Sequence, residues 1–98
     1  MYFFVNTQNP RPTFHLDMTP EERAVMERHV EYWTEKATHG ISIVFGPVMD
    51  PKGAYGMGVH RAEDEAEMRR LLDQDPANGL LQYEVLPMPR AVVGTLRE

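Results

Sequence analysis

The stretch TPEERAVMERHVEYWTEKATHG, residues 19–40, carries the clearest structural signal in this sequence. Thr19 suits the N-cap of a helix, Pro20 suits its first position, and Glu22 completes a capping box with Thr19. Apolar side chains then recur at helical spacing, and Gly40 is a typical residue just past a helix end. The stretch therefore predicts one long amphipathic helix that ends at about residue 38.

Four shorter segments around this helix have the composition of β-strands, with β-branched or aromatic side chains and turn residues at their ends. These segments are residues 2–7, 41–45, 54–60 and 81–88. A second helix is predicted from a cap at Asp64 to about residue 73. The order βαββαβ predicts an α+β protein with a ferredoxin-like sheet and both helices on one face.

The composition restricts the class of protein. A chain of 98 residues suits a single domain, 1–98, and a formal charge of −5 disfavours a nucleic-acid partner, which calls for a basic face. The absence of cysteine excludes disulfides and thiolate ligands, as is common in a reducing compartment. The start MYFFVNTQNP has no basic region and only a short apolar run, so we expect neither a signal peptide nor an anchor. We expect a cytoplasmic protein without a membrane partner, because no segment reaches the roughly 18 apolar residues of a membrane span.

The first strand predicts how the molecule assembles. Tyr2 and Phe4 alternate with Phe3 and Val5, so both faces of this strand are apolar. Helices on one face of the sheet would leave the other face exposed to solvent, and a large exposed apolar face is rare on a monomer. We predict a homodimer that packs sheet against sheet. The alternative is an N-terminal strand that simply has an apolar end.

His29 lies on the apolar stripe of the long helix, between Val25 and Trp33 at helical spacing. Its imidazole is therefore predicted to point into the protein or into a pocket beside the helix. One interpretation is a buried histidine bonded to a backbone carbonyl. The other is a functional group, because an unperturbed imidazole, with a pKa of about 6.5, transfers protons readily near neutral pH.

Several short motifs occur in order along the chain. They are RPTF at 11–14, DMT at 17–19, HVEYW at 29–33, FGPVMDPKG at 45–53, DP at 75–76 and YEVLPM at 83–88. Their order and spacing, over essentially the whole sequence, resemble the YciI-like (YCII-related) family. The resemblance implies a dimeric α+β-barrel domain whose cleft holds a His–Asp pair, here His29 and Asp75. Some members of that family dehalogenate chlorinated muconolactones, and most have no assigned reaction.

The pair of His29 and Asp75 has a chemical use of its own. A carboxylate bonded to one imidazole nitrogen fixes the tautomer and makes the other nitrogen a better base. Such a pair suits proton removal next to a carbonyl group, followed by elimination or isomerisation. Covalent acyl transfer is disfavoured, because the chain has no cysteine and no serine in a G-x-S-x-G setting. For Asp75 the alternative is turn chemistry, since aspartate before proline is common after a helix.

Four more residues are candidates for substrate binding. Arg11 lies in a stiff loop beside Pro12, with Phe14 close by, and its guanidinium suits a substrate carboxylate; the alternative is an exposed loop arginine. Gly46 and Pro47 follow the second strand, where bare backbone either approaches a ligand or simply turns. These residues predict one wall of the cleft.

Glycines and histidines elsewhere in the chain carry weaker signals. Gly56 and Gly58 share one face of a strand, which indicates close approach of another group, with packing against a helix or the partner subunit favoured over a ligand. The four histidines show no H-x-H or H-x-x-x-H spacing, so we predict no metal and no cofactor.

The leading functional hypothesis is a small-molecule enzyme of lyase, isomerase or dehalogenase type that uses acid–base chemistry. His29 would move the proton, Asp75 would orient it, and the ligand is a small molecule, with an anion among the candidates. The alternatives are a non-catalytic module whose cleft binds a metabolite, and a purely structural dimer.

Overall fold

The computed structural model describes residues 1–95 and contains four strands and three helices. The strands are β1 (Tyr2–Gln8), β2 (Ser42–Val48), β3 (Tyr55–Arg61) and β4 (Gln82–Met88). The helices are α1 (Phe14–Asp17), α2 (Pro20–Thr38) and α3 (Glu65–Asp73). Residues 96–98, which belong to the predicted domain 1–98, lie outside the described residues. None of the helices in residues 1–95 is long and apolar enough to cross a membrane.

The strands form one antiparallel sheet in the order β2-β3-β1-β4, with β1 and β3 in its centre. Each of the two longer helices connects strands that are not neighbours, which is the split βαβ arrangement. The predicted βαββαβ order is confirmed, and with it the α+β, ferredoxin-like class.

The start of α2 has the predicted capping box. The Thr19 hydroxyl accepts a hydrogen bond from the backbone N–H of Glu22 at 3.1 Å, and a carboxylate oxygen of Glu22 accepts from the backbone N–H of Thr19 at 2.9 Å. Gly40 ends the helix with a φ of 73°, a conformation that favours glycine. The cap of α3 is also as predicted, because the Asp64 carboxylate accepts from the backbone N–H of Glu67 at 2.8 Å.

The core lies between the sheet and the two longer helices. Phe3 and Val5 of β1 pack in one buried cluster with Trp33 of α2 and with Met68 and Leu72 of α3. Because side chains of both helices belong to one cluster with these two β1 side chains, the helices cover the same face of the sheet. The alternation of the strand sends Tyr2 and Phe4 to the opposite face.

Helix α1 was not predicted, because Pro10 and Pro12 indicated an extended loop. It is four residues long, and Phe14 at its start is only 2% exposed. Phe14 packs with Ala77 and Leu81 in a second small cluster. The packing of this one aromatic ring against distant residues, rather than local helix propensity, therefore holds the segment against the domain.

Strand β2 is longer than predicted. Gly46 and Pro47 lie within the strand, paired with Met57 and Gly56, so the prediction that they follow it was wrong. A proline is tolerated here because β2 is an edge strand, where one side of the ladder needs no N–H donor.

Candidate active site

A cavity of about 430 Å³ lies between the sheet and the helices α1 and α2. Four of the predicted site residues line it, namely Phe14, His29, Gly46 and Pro47. Most of the wall is apolar, and within residues 1–95 no Lys, Arg, Asp or Glu side chain belongs to the lining. A concave apolar site with a few polar groups is the usual form of a small-molecule site.

His29 and Asp75 are in contact at the wall of this cavity. The Nδ1 atom of His29 lies 2.9 Å from Oδ1 and 2.8 Å from Oδ2 of Asp75. A carboxylate only accepts hydrogen bonds, so Nδ1 is the donor and carries the proton. The buried partner of His29 is thus a carboxylate rather than a backbone carbonyl. Its other nitrogen, Nε2, has no hydrogen-bond partner among the described residues.

Asp75 is the centre of a wider hydrogen-bond network. Besides His29, its carboxylate accepts hydrogen bonds from Trp33 Nε1 at 2.8 Å, from the Tyr83 hydroxyl at 2.8 Å and from the backbone N–H of Ala77 at 2.9 Å. The bond to Ala77, two residues on, is the turn chemistry that was the alternative explanation for this residue. Asp75 therefore stabilises the turn that follows α3 and binds His29 at the same time.

The network keeps Asp75 ionised. Burial opposes ionisation, but the hydrogen bonds from His29 and from the Ala77 backbone outweigh it and hold the pKa of Asp75 below its ordinary value of 3.8. Burial also opposes the ionisation of the two nearby phenols, and the Asp75 charge adds to this effect, so the pKa of Tyr83 is raised and that of Tyr32 is raised to about 12. Tyr83 thus stays a protonated donor, and the carboxylate stays an acceptor.

His60 is a cavity residue that was not predicted from the sequence. It lies on β3, is 3% exposed, and its ring stacks on Trp33 with centroids 4.0 Å apart. Its Nδ1 lies 3.0 Å from the Ser42 hydroxyl. Burial lowers the pKa of His60 to about 4, and the attraction of the Asp75 charge only partly offsets this effect. Strand alternation puts His60 on the same face as Gly58, which was the available signal for a second histidine in the site.

The two glycines of β3 leave room for neighbouring side chains. A Cβ atom on Gly58 would collide with the His60 ring, and one on Gly56 would collide with the Thr7 side chain. The close approach predicted at these glycines is therefore made by side chains of the same sheet and not by a helix.

Arg11 is held outside the cavity by two carboxylates of its own chain. Its guanidinium donates two hydrogen bonds to Glu22, at 2.9 and 2.8 Å, and one to Asp17 at 2.8 Å. The bonds to Arg11 lower the pKa of Glu22 to about 2. Arg11 is not among the lining residues and ties α1 to the start of α2, so it has no part in the site proposed below.

Comparison with known proteins identifies the family. The profile of the YCII-related domain matches residues 1–89. The chain belongs to the YCII-related family. No curated protein matches the chain.

The YCII-related fold is shared with a solved structure, the 5-chloro-2-hydroxyhydroquinone dehydrochlorinase from Burkholderia phenoliruptrix in complex with 2,5-dihydroxybenzoquinone. The TM-score is 0.71 at 15% sequence identity, over 93% of this chain and 96% of that chain. At this identity the likeness shows the fold alone.

Proposed function

We propose that this YCII-related protein is a small-molecule enzyme that removes a proton from a substrate carbon next to a carbonyl group and completes an elimination or isomerisation. One observation carries the proposal: the Nδ1 of His29 is held by the buried carboxylate of Asp75, while Nε2 has no partner among the described residues of a largely apolar cavity. An imidazole in this arrangement is a general base with a fixed tautomer.

The reaction balances without an oxidant or a reductant. Nε2 of His29 takes the proton, and the electron pair of the C–H bond forms a carbon–carbon double bond. In an elimination, the bond to a leaving group on the next carbon breaks, and the group departs with its electron pair as an anion such as chloride. In an isomerisation, the imidazolium returns the proton to another atom of the substrate. Asp75 remains ionised and stabilises the imidazolium throughout. The predicted absence of a cofactor is consistent with such chemistry.

The walls of the cavity support a small ring compound as the substrate class. The volume of about 430 Å³ suits a molecule of one ring with a few substituents. In the lining within residues 1–95 the basic side chains are all histidines, so an anionic substrate group would meet imidazoles and no permanent cation. The dehydrochlorinase that shares the fold is bound to a quinone, a planar ring with oxygen substituents. We therefore favour a hydroxylated ring or a lactone that is uncharged or weakly acidic.

The test compares the same substitution at two histidines, one on α2 and one directly after it. His29→Gln removes the proposed base, and His39→Gln removes an exposed imidazole at the end of α2, with a side chain 64% exposed. Chlorinated hydroxybenzenes and chlorinated lactones would be incubated with each protein, with chloride release and deuterium uptake from heavy water as the measurements. We expect turnover by the wild type and by His39→Gln, and a loss of about 10²–10⁴-fold in His29→Gln.

The same assays separate the enzyme from its alternative. Equal turnover by His29→Gln and the wild type would overturn the proposed base. Saturable binding of 2,5-dihydroxybenzoquinone or of the panel compounds, without chloride release or deuterium uptake in any of them, would instead establish the non-catalytic binding module.

The homodimer stays a proposal, and the outer face of the sheet supports it. Phe4 has Val59 and Leu86 as its cross-strand neighbours on this face, and Leu86 is 47% exposed. We expect sedimentation to give a dimer for the wild type and a monomer for Leu86→Glu. Leu16→Glu is the matched control, because Leu16 is 78% exposed and belongs to α1 instead of a strand. A monomeric wild type would remove the dimer proposal. The cytoplasmic location stays a prediction.

A further inference from the structure

His60 is a second imidazole in the cavity, and the proposed proton transfer from substrate to His29 does not use it. Its environment differs from that of His29, because its Nδ1 contacts the Ser42 hydroxyl instead of a carboxylate. Its Nε2 has no hydrogen-bond partner within residues 1–95, and the residue belongs to the cavity lining. A buried imidazole that is fixed by its neighbours and has one nitrogen without a hydrogen-bond partner is a candidate ligand contact.

The ring of His60 is held on three sides. Trp33 stacks against one face with an interplanar angle of 15°, and Gly58 leaves the space in which the ring lies along the strand. Ser42 holds the Nδ1 edge at 3.0 Å. Trp33 also donates to Asp75, so the same indole contacts both the second imidazole and the partner of His29. The two imidazoles are therefore fixed relative to one another by shared neighbours.

Counting donors and acceptors selects a tautomer for His60. If Nδ1 carried the proton and donated to Ser42, the Ser42 hydroxyl hydrogen would need an acceptor, and it has none among the described residues. If instead the Ser42 hydroxyl donates to Nδ1, that hydroxyl is satisfied and the single imidazole proton resides on Nε2. This second arrangement leaves one open group, an N–H donor at Nε2, which lies next to Gly58 on a residue of the cavity lining. The lowered pKa of His60 keeps the ring neutral near pH 7, so it carries this one proton there.

We propose that the Nε2–H of His60 donates a hydrogen bond to the substrate oxygen that gains negative charge when His29 removes a proton. This inference rests on the proposed function and adds the group that stabilises the oxyanion. A neutral imidazole donor suits the task because it stabilises the charge without delivering a proton prematurely. With no lysine or arginine in the lining within residues 1–95, fixed N–H and O–H dipoles are the groups available for the oxyanion. The substrate therefore carries a carbonyl or enol oxygen on the same ring as the proton that His29 removes.

The first test is the tautomer of His60 in the free protein. Long-range ¹H–¹⁵N spectra of the imidazoles distinguish a protonated Nε2 from a protonated Nδ1 without any ligand. We expect His60 with the proton on Nε2. Protonation on Nδ1 would overturn the proposal, whatever reaction the protein catalyses.

The second test measures the contact with 2,5-dihydroxybenzoquinone as the probe, by titration calorimetry. His60→Phe keeps an aromatic ring on Trp33 and removes the donor, whereas His60→Gln keeps an N–H donor. Loss of a hydrogen bond to a charged oxygen corresponds to about 10–100-fold weaker binding in His60→Phe, with a much smaller change in His60→Gln. Equal binding by wild type and His60→Phe would overturn the contact.

The two proposals fail in different ways. If wild type turns over a panel substrate with the same kcat and KM as His60→Phe, the His60 contact is wrong while the His29 mechanism stands. If the tautomer and the binding loss are as expected but no compound is turned over, the enzyme proposal fails, and His60 remains a ligand-binding residue.

Discussion

Asp75→Asn is the substitution that most directly tests how the site is held together. The amide has nearly the shape of the carboxylate, but it replaces one acceptor oxygen by an NH₂ donor. If the NH₂ group faces Trp33, the indole N–H loses its acceptor; if it faces Ala77, the backbone N–H loses its acceptor. The Tyr83 hydroxyl can rotate and accept instead, whereas neither N–H can. One buried N–H is therefore left without a partner in either orientation of the amide.

The magnitude follows from this count. A hydrogen bond to a charged acceptor contributes about 1.5–3 kcal/mol, and an orphaned buried donor costs about 1–3 kcal/mol. Because Asp75 is 3% exposed, solvent does not replace the lost bonds. We expect the free energy of unfolding to fall by about 3–5 kcal/mol, the range found for breaking a buried ion pair. Turnover should fall by about 10⁴-fold if the enzyme proposal holds, because a neutral amide no longer keeps the proton on Nδ1 of His29.

Asp73→Asn is the matched control. Asp73 ends α3 two residues earlier, is exposed, and loses the same charge in the substitution. Urea unfolding of the three proteins would be followed by circular dichroism at one protein concentration, since assembly affects the midpoint. If the free energy of unfolding of Asp75→Asn lies within 1 kcal/mol of that of Asp73→Asn, the network does not stabilise the fold.

Other perturbations address separate parts of the site. His29→Leu should change the free energy of unfolding by about 1 kcal/mol or less, because the lost charge-assisted bond and the gained burial of a leucine are each worth about 1.5–3 kcal/mol. Urea titration checks it, and a loss above about 3 kcal/mol would mean that Asp75 needs the imidazole for structural reasons. Glu22→Gln weakens the bidentate partner of Arg11, so hydrogen exchange of the amides in α1 should accelerate while that of α3 stays unchanged; equal rates in α1 would show that the ion pair does not restrain it. The pKa of His60 is about 4 in the folded protein and 6.5 when exposed, so protonation favours unfolding and stability falls as the pH drops from about 6.5 to about 4. Over that window the wild type should lose about 3 kcal/mol more than His60→Phe in chemical unfolding at each pH, and parallel curves would contradict the assignment.

Local signals in the sequence were sufficient for most of the fold. The capping box of Thr19 and Glu22 and the glycine after α2 act within a few residues, so both ends of that helix were predictable. Helix α1 was not, because Phe14 is buried against residues more than sixty positions later in the chain. The end of β2 was missed for a similar reason. From local sequence alone, a Gly-Pro pair predicts the end of a strand. The strand continues through the pair here because β2 lies at the edge of the sheet.

The residues of the site also differ in whether local sequence signals could predict them. Helical periodicity put His29 on the inner face of α2, but periodicity contains no information about its partner 46 residues away. Asp75 entered through the family resemblance, and its local pattern predicted only the turn that it also makes. His60 shares a strand face with Gly58, and reading those two positions together would have predicted a ring lying over the glycine.

The arrangement around Asp75 also explains why stability and activity have to be measured together in this domain. A buried carboxylate without partners would be strongly destabilising, and here Trp33, Tyr83 and the Ala77 backbone supply donors whether or not His29 is present. The donors that make the charge tolerable also fix the carboxylate in the orientation that sets the His29 tautomer. Removing Asp75 therefore disturbs the fold and the base at once, whereas removing His29 leaves the carboxylate satisfied. We therefore expect variants of His29 to be folded and inactive. We expect variants of Asp75 to be both less stable and inactive.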